Sequence, residues 1–184
     1  MPGENSSAPP EYKLPFKRGW KLIELGGGEA PVIRPNADSR WLPTVDLPCV
    51  DFNYPLPIPS QSYDGVFAKF VLEHLSWRKV KGFMAECHRI LKPGGIAIFV
   101  TANLEAQMKA LLNKEDWSED DISMIFGGQE MDPWDVNAHH CGFSPAYAVK
   151  LFKEAGFYEV QVKEWPMAKT DMVVEATKSA AVVM

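Results

Sequence analysis

The stretch WKLIELGGGEAPVIRPNADSR, Trp20 to Arg40, constrains this fold more than any other. An apolar run closes on Glu24 and Leu25, three consecutive glycines follow, and Pro31 and Pro35 come almost at once. A strand that runs into a glycine turn opens many ligand-binding α/β sheets, whose ligands collect at the carboxyl ends of the strands. Residues without a Cβ let a ligand lie against the backbone and permit positive φ. The usual next element is a helix whose N-terminus faces a phosphate. Here EAPVIRPN is too short and too proline-rich for a full crossover helix. A dinucleotide motif needs a third glycine where Pro31 stands, and an acid about 20 residues further on. The next strand-end acid, Asp38, comes only ten residues after Gly28. A pyrophosphate would find neither donors nor a helix dipole, so NAD and FAD fit poorly.

The rest of the chain alternates strands and helices. Lys21–Leu25, Ala37–Ser39, Leu47–Asp51 and Asp64–Lys69 read as strands, the third held to an edge by its proline. Ser76 reads as the cap of a helix whose apolar positions Trp77, Val80, Phe83, Met84, Cys87, Ile90 and Leu91 recur at helical spacing. Lys92-Pro93-Gly94-Gly95 ends it, and Ile96–Thr101 is continuously apolar, as in a strand buried on both faces. Leu104–Leu112 is helical, Ser118 and Asp121 form an S-x-x-D box before Ile122–Phe126, and Ser144-Pro145 opens a helix that Gly156 closes. Tyr158–Lys163 and Met172–Thr177 follow with no helix between them, which predicts an antiparallel pair. The expected fold is α/β: a Rossmann-like, mostly parallel sheet of about seven strands with an antiparallel C-terminal pair. Helices lie on both faces, and the first crossover helix is shortened or absent.

Residues 1–18, rich in Pro, Ser and Glu, read as a flexible arm or lid, and 19–184 as a single domain in which 103–143 forms a substrate-side insertion. No run approaches membrane-span length, and the N-terminus lacks a signal-peptide pattern. Three widely spaced cysteines suit reduced thiols, so a cytoplasmic location is expected. The net charge of -5 argues against nucleic acid as the main partner.

An adenosine ligand without phosphate resolves the conflict at the glycine turn. Gly26, Gly27 and Gly28 supply room for its non-nucleoside part. Asp38 would accept hydrogen bonds from both ribose hydroxyls, and Asp51 with Phe52 would form an adenine slot. S-adenosylmethionine is the common ligand of that description. The pieces ELGGGEAP, NADSR, VDFNYPLPIPSQSYDGVF, KFVLEHL, ECHRILKPGGIAIFVTAN and GFSPAYAVKLFKEAGF resemble the class I S-adenosylmethionine-dependent methyltransferases, and in particular the small type-11 members. The resemblance spans roughly two-thirds of the chain. It implies Glu24 and the three glycines at the methionine end, Asp38 at the ribose, Asp51 and Phe52 at the adenine, and Lys69 and Phe70 beside the methyl group. It also implies S-adenosylhomocysteine as product. The family's first full helix is the element this chain lacks.

The acceptor side should come from the arm and from 103–143, where the loop Gly127–Phe143 carries acids, a tryptophan and the pair His139 and His140. Either histidine would serve as a general base or would only fix the loop. Glu73 and His74 of VLEHL read chiefly as helix-capping and loop-joining residues. Adjacent His139, His140 and Cys141 do not present metal-ligand spacing, so no metal is expected. The modest size favours a small-molecule or saccharide-type acceptor. A non-catalytic methyltransferase-like binding subunit and a methyltransferase for proteins remain as alternatives. A protein partner or a homo-oligomer stays open.

Overall fold

A computed structural model describes residues 12–131 and 133–180. Its elements run β1 (Leu22–Leu25), β2 (Asn36–Ala37), β3 (Tyr63–Lys69), α1 (Val80–Ile90), β4 (Leu91–Ala102), α2 (Leu104–Leu112), α3 (Glu119–Phe126), α4 (Pro145–Glu154), β5 (Phe157–Trp165) and β6 (Ala168–Lys178). Short 3-10 turns at Leu72–His74 and Trp134–Asn137 complete the set. The strands form one sheet in the order β2-β1-β3-β4-β6-β5. Pairing is parallel from β2 through β4, and β6 lies antiparallel between β4 and β5. Among the described residues no helix is long and apolar enough to cross a membrane.

No helix joins β1 to β2. A buried carboxylate does part of that work: Glu24 Oε2 accepts the Val32 N–H at 2.6 Å and the Ile33 N–H at 2.7 Å. The return loop is tied further by Asn36, whose Oδ1 accepts from the Asp46 N–H and whose Nδ2 donates to Thr44 O. Thr44 Oγ1 in turn donates to Gly28 O at 2.8 Å. The chain reverses on polar clips rather than on a helical ladder.

The expected third strand at Leu47–Asp51 is reduced to a single parallel bridge between Leu47 and Ala37, so the sheet has six strands among the described residues. Pro48 offers no donor, and Cys49 at φ 60 turns the backbone away from the strand direction. The helix expected from Ser76 begins at Val80, with Lys79 at the cap position and no side-chain cap. Residues 77–79 form a turn instead, and Trp77 is exposed rather than on the buried face.

Helices flank the sheet unevenly. Phe83, Met84, Cys87 and Ile90 of α1 and Ala148, Leu151 and Phe152 of α4 share one core with Phe99 and Ala97 of β4. The edge-on rings of Phe83, Phe99 and Phe152 lock it, and truncating Phe83 to Ala should cost about 3–5 kcal/mol. The other cluster is built from Phe67, Ile98, Val100, Val173 and Ile33, with Tyr12, Leu14, Phe16 and Trp165 packed on it. Extended chain covers that face where a helix would otherwise sit. The described part of the N-terminal arm is thus laid on the sheet, and its first eleven residues lie outside the described region. Tyr12 donates to Glu175 Oε1 at 2.6 Å and meets the Trp165 ring.

Candidate active site

The carboxyl ends of β1, β2 and β3 open into a cavity of about 760 Å³, within the size range of small-molecule sites. Gly26, Asp38, Asp51, Phe52, Phe70 and His140 all line it, six of the sequence-predicted site residues, although 114 positions separate the first from the last. Glu24, Gly27, Gly28, Lys69 and His139 do not.

The glycine turn fits its wall closely. Gly26 has φ 79, and a Cβ there would overlap Val71 Cγ2. A Cβ on Gly27 would meet Asn36 Nδ2 at 2.8 Å and one on Gly28 would meet Arg40 Nη2 at 2.8 Å. Gly27 and Gly28 therefore shape the turn from behind the wall. Glu24 stands behind it too, its carboxylate turned to the loop amides, and burial pushes its carboxyl up from the usual range.

Asp38 is 4% exposed. Its Oδ2 accepts from the Gly28 N–H at 2.9 Å, and its Oδ1 accepts from Arg40 N at 2.9 Å and Arg40 Nε at 3.1 Å. A carboxylate has about four lone-pair positions, so one is left for a ligand while Arg40 is engaged. Arg40 was not foreseen from the sequence. It lies two residues past the acid in NADSR, and only the fold shows that its guanidinium turns back over the glycines.

Asp51 is exposed, and its Oδ1 accepts both from the backbone and from the side chain of Asn53. Phe52 is 6% exposed and its ring packs 5.3 Å from Phe83, so it anchors the slot from the core. The free aromatic surface belongs to Tyr54, 61% exposed on the cavity wall with Lys79 Nζ 5.3 Å from its ring centre. Phe70 follows β3 with φ 53, rare for a bulky side chain, and its N–H donates to Val100 O at 2.8 Å. Lys69 is exposed, and its ammonium lies near the rings of Phe70 and Trp165.

The histidine loop is stitched to the Leu72–His74 turn. Glu73 O accepts from the His140 N–H at 2.7 Å and the Cys141 N–H at 3.2 Å, and Cys141 Sγ donates to Leu72 O. His74 Nδ1 pairs with Ala138 O at 3.0 Å, and His139 Nδ1 with Ile125 O at 3.2 Å. The two rings meet edge to face at 5.1 Å. Beneath them Glu73 is 2% exposed and takes the Thr101 hydroxyl on Oε2 at 3.0 Å. Burial raises the Glu73 carboxyl and lowers both imidazoles from their usual values. Burial also pushes the Cys141 thiol up to about 12, which makes it a poor nucleophile. His140 lines the main cavity and also a second, smaller one, which His139 lines together with Leu104, Ile125 and Phe126.

Residues 24–99 match the family described as a methyltransferase domain. A comparison with curated proteins finds no match. Among solved structures, the chain is similar to a S-adenosylmethionine-dependent methyltransferase from Thermotoga maritima described as a possible histamine N-methyltransferase. Identity is 19%, coverage is 87% of this chain and 83% of that one, and the TM-score is 0.60. A S-adenosylmethionine-dependent methyltransferase from Mesorhizobium loti shows 17% identity, coverage of 87% and 91%, and a TM-score of 0.59. Phosphoethanolamine N-methyltransferase 2 of Haemonchus contortus, solved with S-adenosyl-L-methionine, shows 12% identity, coverage of 90% and 50%, and a TM-score of 0.59. The match over 24–99 and the shared fold agree with the resemblance carried by the sequence motifs: the chain has the fold of the S-adenosylmethionine-dependent methyltransferases.

Proposed function

We propose that this methyltransferase domain binds S-adenosylmethionine and transfers its methyl group to a small-molecule or saccharide-type acceptor, leaving S-adenosylhomocysteine. The observation that carries the reading is the cavity at the β1–β3 strand ends. A glycine wall and a buried strand-end carboxylate meet there with no helix N-terminus to serve a phosphate.

S-adenosylmethionine, when bound, would supply an activated methyl group with S-adenosylhomocysteine as the leaving group. The chain's own part is positioning. Gly26 gives the methionine portion access to the backbone. Asp38 takes the ribose hydroxyls, which requires Arg40 to yield one of its contacts. Asp51 and Phe52 border the adenine, and Tyr54 offers a stacking face. Phe70 closes the wall where the methyl group would lie. His140 lines the cavity and donates Nε2–H to Asp135 O at 3.0 Å, so its Nδ1 takes the acceptor's proton where the acceptor is a hydroxyl or an ammonium.

The test is calorimetric titration with S-adenosylmethionine, S-adenosylhomocysteine and NAD. Binding of the first two alone supports the site, and binding of NAD or of none refutes it. Labelled methyl donor added to lysate then sorts acceptors: label in the small-molecule fraction supports the reading, and label in protein overturns the acceptor class. The Arg40–Asp38 ion pair across the ribose position favours a second reading, a methyltransferase-like binding subunit without catalysis. That reading predicts no cofactor binding even after Arg40→Ala.

A further inference from the structure

We propose that Glu73, His74 and His139 form a binding site for a divalent transition-metal ion, joining the Leu72–His74 turn to the histidine loop. One ligand atom from each of the three residues lies within 4.8 Å of the other two. The sequence hides this set, because its members are two adjacent residues after β3 and one residue 65 positions further on.

Three independent features point to an ion. First, both imidazoles use Nδ1 on a backbone carbonyl, Ala138 O for His74 and Ile125 O for His139. Metal-bound histidines characteristically donate one ring N–H to such an acceptor, which fixes the tautomer and leaves the other nitrogen's lone pair for the ion. Second, Glu73 is a buried carboxylate whose side-chain partner is a neutral hydroxyl, Thr101 Oγ1. No lysine or arginine forms an ion pair with it among the described residues. Buried charge is normally paired or coordinates metal, and the hydroxyl on Oε2 is the outer support that ligating carboxylates carry. Third, the two segments are already clamped. The Glu73 carbonyl accepts two amides of the loop, and Cys141 Sγ reaches Leu72 O, so His139 is held opposite Glu73 without the ion.

Two imidazoles and one carboxylate suit Zn²⁺ or Fe²⁺ and not Mg²⁺ or Ca²⁺, which prefer oxygen. Three protein ligands also leave a position for water or an exogenous ligand, and His74 stands on the wall of the main cavity.

The experiment titrates metal-stripped protein with Co²⁺ followed by visible absorption, with Zn²⁺ as competitor and Mg²⁺ as control. It needs neither cofactor nor acceptor, so its result is independent of the methyl-transfer reading. The expected result is one equivalent of Co²⁺, displaced by Zn²⁺ and untouched by Mg²⁺. Affinity should fall more than about 100-fold in His74→Ala and in His139→Ala, and about 10- to 100-fold in Thr101→Val, which alters only the outer support. Glu73→Gln keeps a hydrogen-bond acceptor for Thr101 and removes the charge, and serves if the histidine variants fail to fold. No uptake at millimolar metal would overturn the site, as would uptake that survives either histidine substitution together with Glu73→Gln.

Discussion

Gly26 should not tolerate a methyl group unless Val71 loses its own. The backbone at Gly26 has φ 79, and a new Cβ would overlap Val71 Cγ2 while standing 3.5 Å from Val71 Cβ and 3.8 Å from Phe52 Cε2. Only the valine methyl is in the way. A left-handed conformation costs an L-residue about 1–2 kcal/mol. The overlap adds about 1–3 kcal/mol, because Val71 is buried in the core and cannot swing out. Gly26→Ala should therefore lose about 2–5 kcal/mol. Val71→Ala alone loses about 1.5 kcal/mol for two buried methyl groups. In the double variant the conformational cost stays and the overlap goes, so it should be more stable than the sum of the singles by about 1–3 kcal/mol. Urea unfolding followed by circular dichroism measures all four corners of the cycle. Additivity within about 0.5 kcal/mol would show that the turn does not press on Val71, and the reasoning from wall shape would fail.

Asp38→Asn removes the charge from the hydrogen bonds to the ribose hydroxyls and should weaken S-adenosylmethionine binding about 10- to 100-fold by calorimetry; an unchanged constant would place the ribose elsewhere. Glu24→Ala strands two loop amides and should cost about 2–5 kcal/mol, whereas Glu24→Gln keeps an acceptor oxygen and should cost about 1 kcal/mol or less. Equal losses in thermal denaturation would show that Glu24 does not hold the loop. His88 Nε2 is buried without a hydrogen-bond partner among the described residues, and burial holds its pKa below the usual value of 6.5, with Lys178 adding to the effect. The unfolded chain then binds more protons just below pH 6.5, so stability should fall as pH drops through that range. In His88→Leu that part of the slope should vanish in denaturant midpoints measured from pH 7.5 to 5.5.

The elements with strong local signals were legible. The Ser118–Asp121 box and the Ser144-Pro145 start rest on contacts within a few residues and stand where the sequence puts them, and the β5–β6 pair is antiparallel as expected, with β6 starting four residues earlier, at Ala168. The boundaries that moved depend on distant partners. Trp77 carries helical spacing but has no core to face, so α1 starts at Val80. Leu47–Asp51 has strand composition, but Pro48 and the φ of Cys49 spoil the ladder. The candidate site divides the same way. Gly26, Asp38 and Phe52 follow from strand ends and reach the cavity. Arg40, Tyr54 and the meeting of Glu73 with His139 depend on how loops fold back, and no periodicity encodes that.

The missing crossover helix and the choice of ligand are two sides of one constraint. A helix after the glycine turn would supply free amides and a positive dipole end, which a phosphate needs and a sulfonium does not. Here the amides of Val32 and Ile33 are spent on Glu24, inside the protein and behind the turn. The turn presents Asp38, paired with Arg40, and no free helix end. Such an end of the sheet offers a diphosphate no free helix amides. The loss of the helix costs little because the face it would cover is closed by Ile33 and by the extended segment carrying Tyr12, Leu14 and Phe16. Deleting residues 1–17 should therefore expose that cluster and lower stability before it affects cofactor affinity. A truncated protein that unfolds at the parent's denaturant midpoint would refute the idea that the arm replaces the helix.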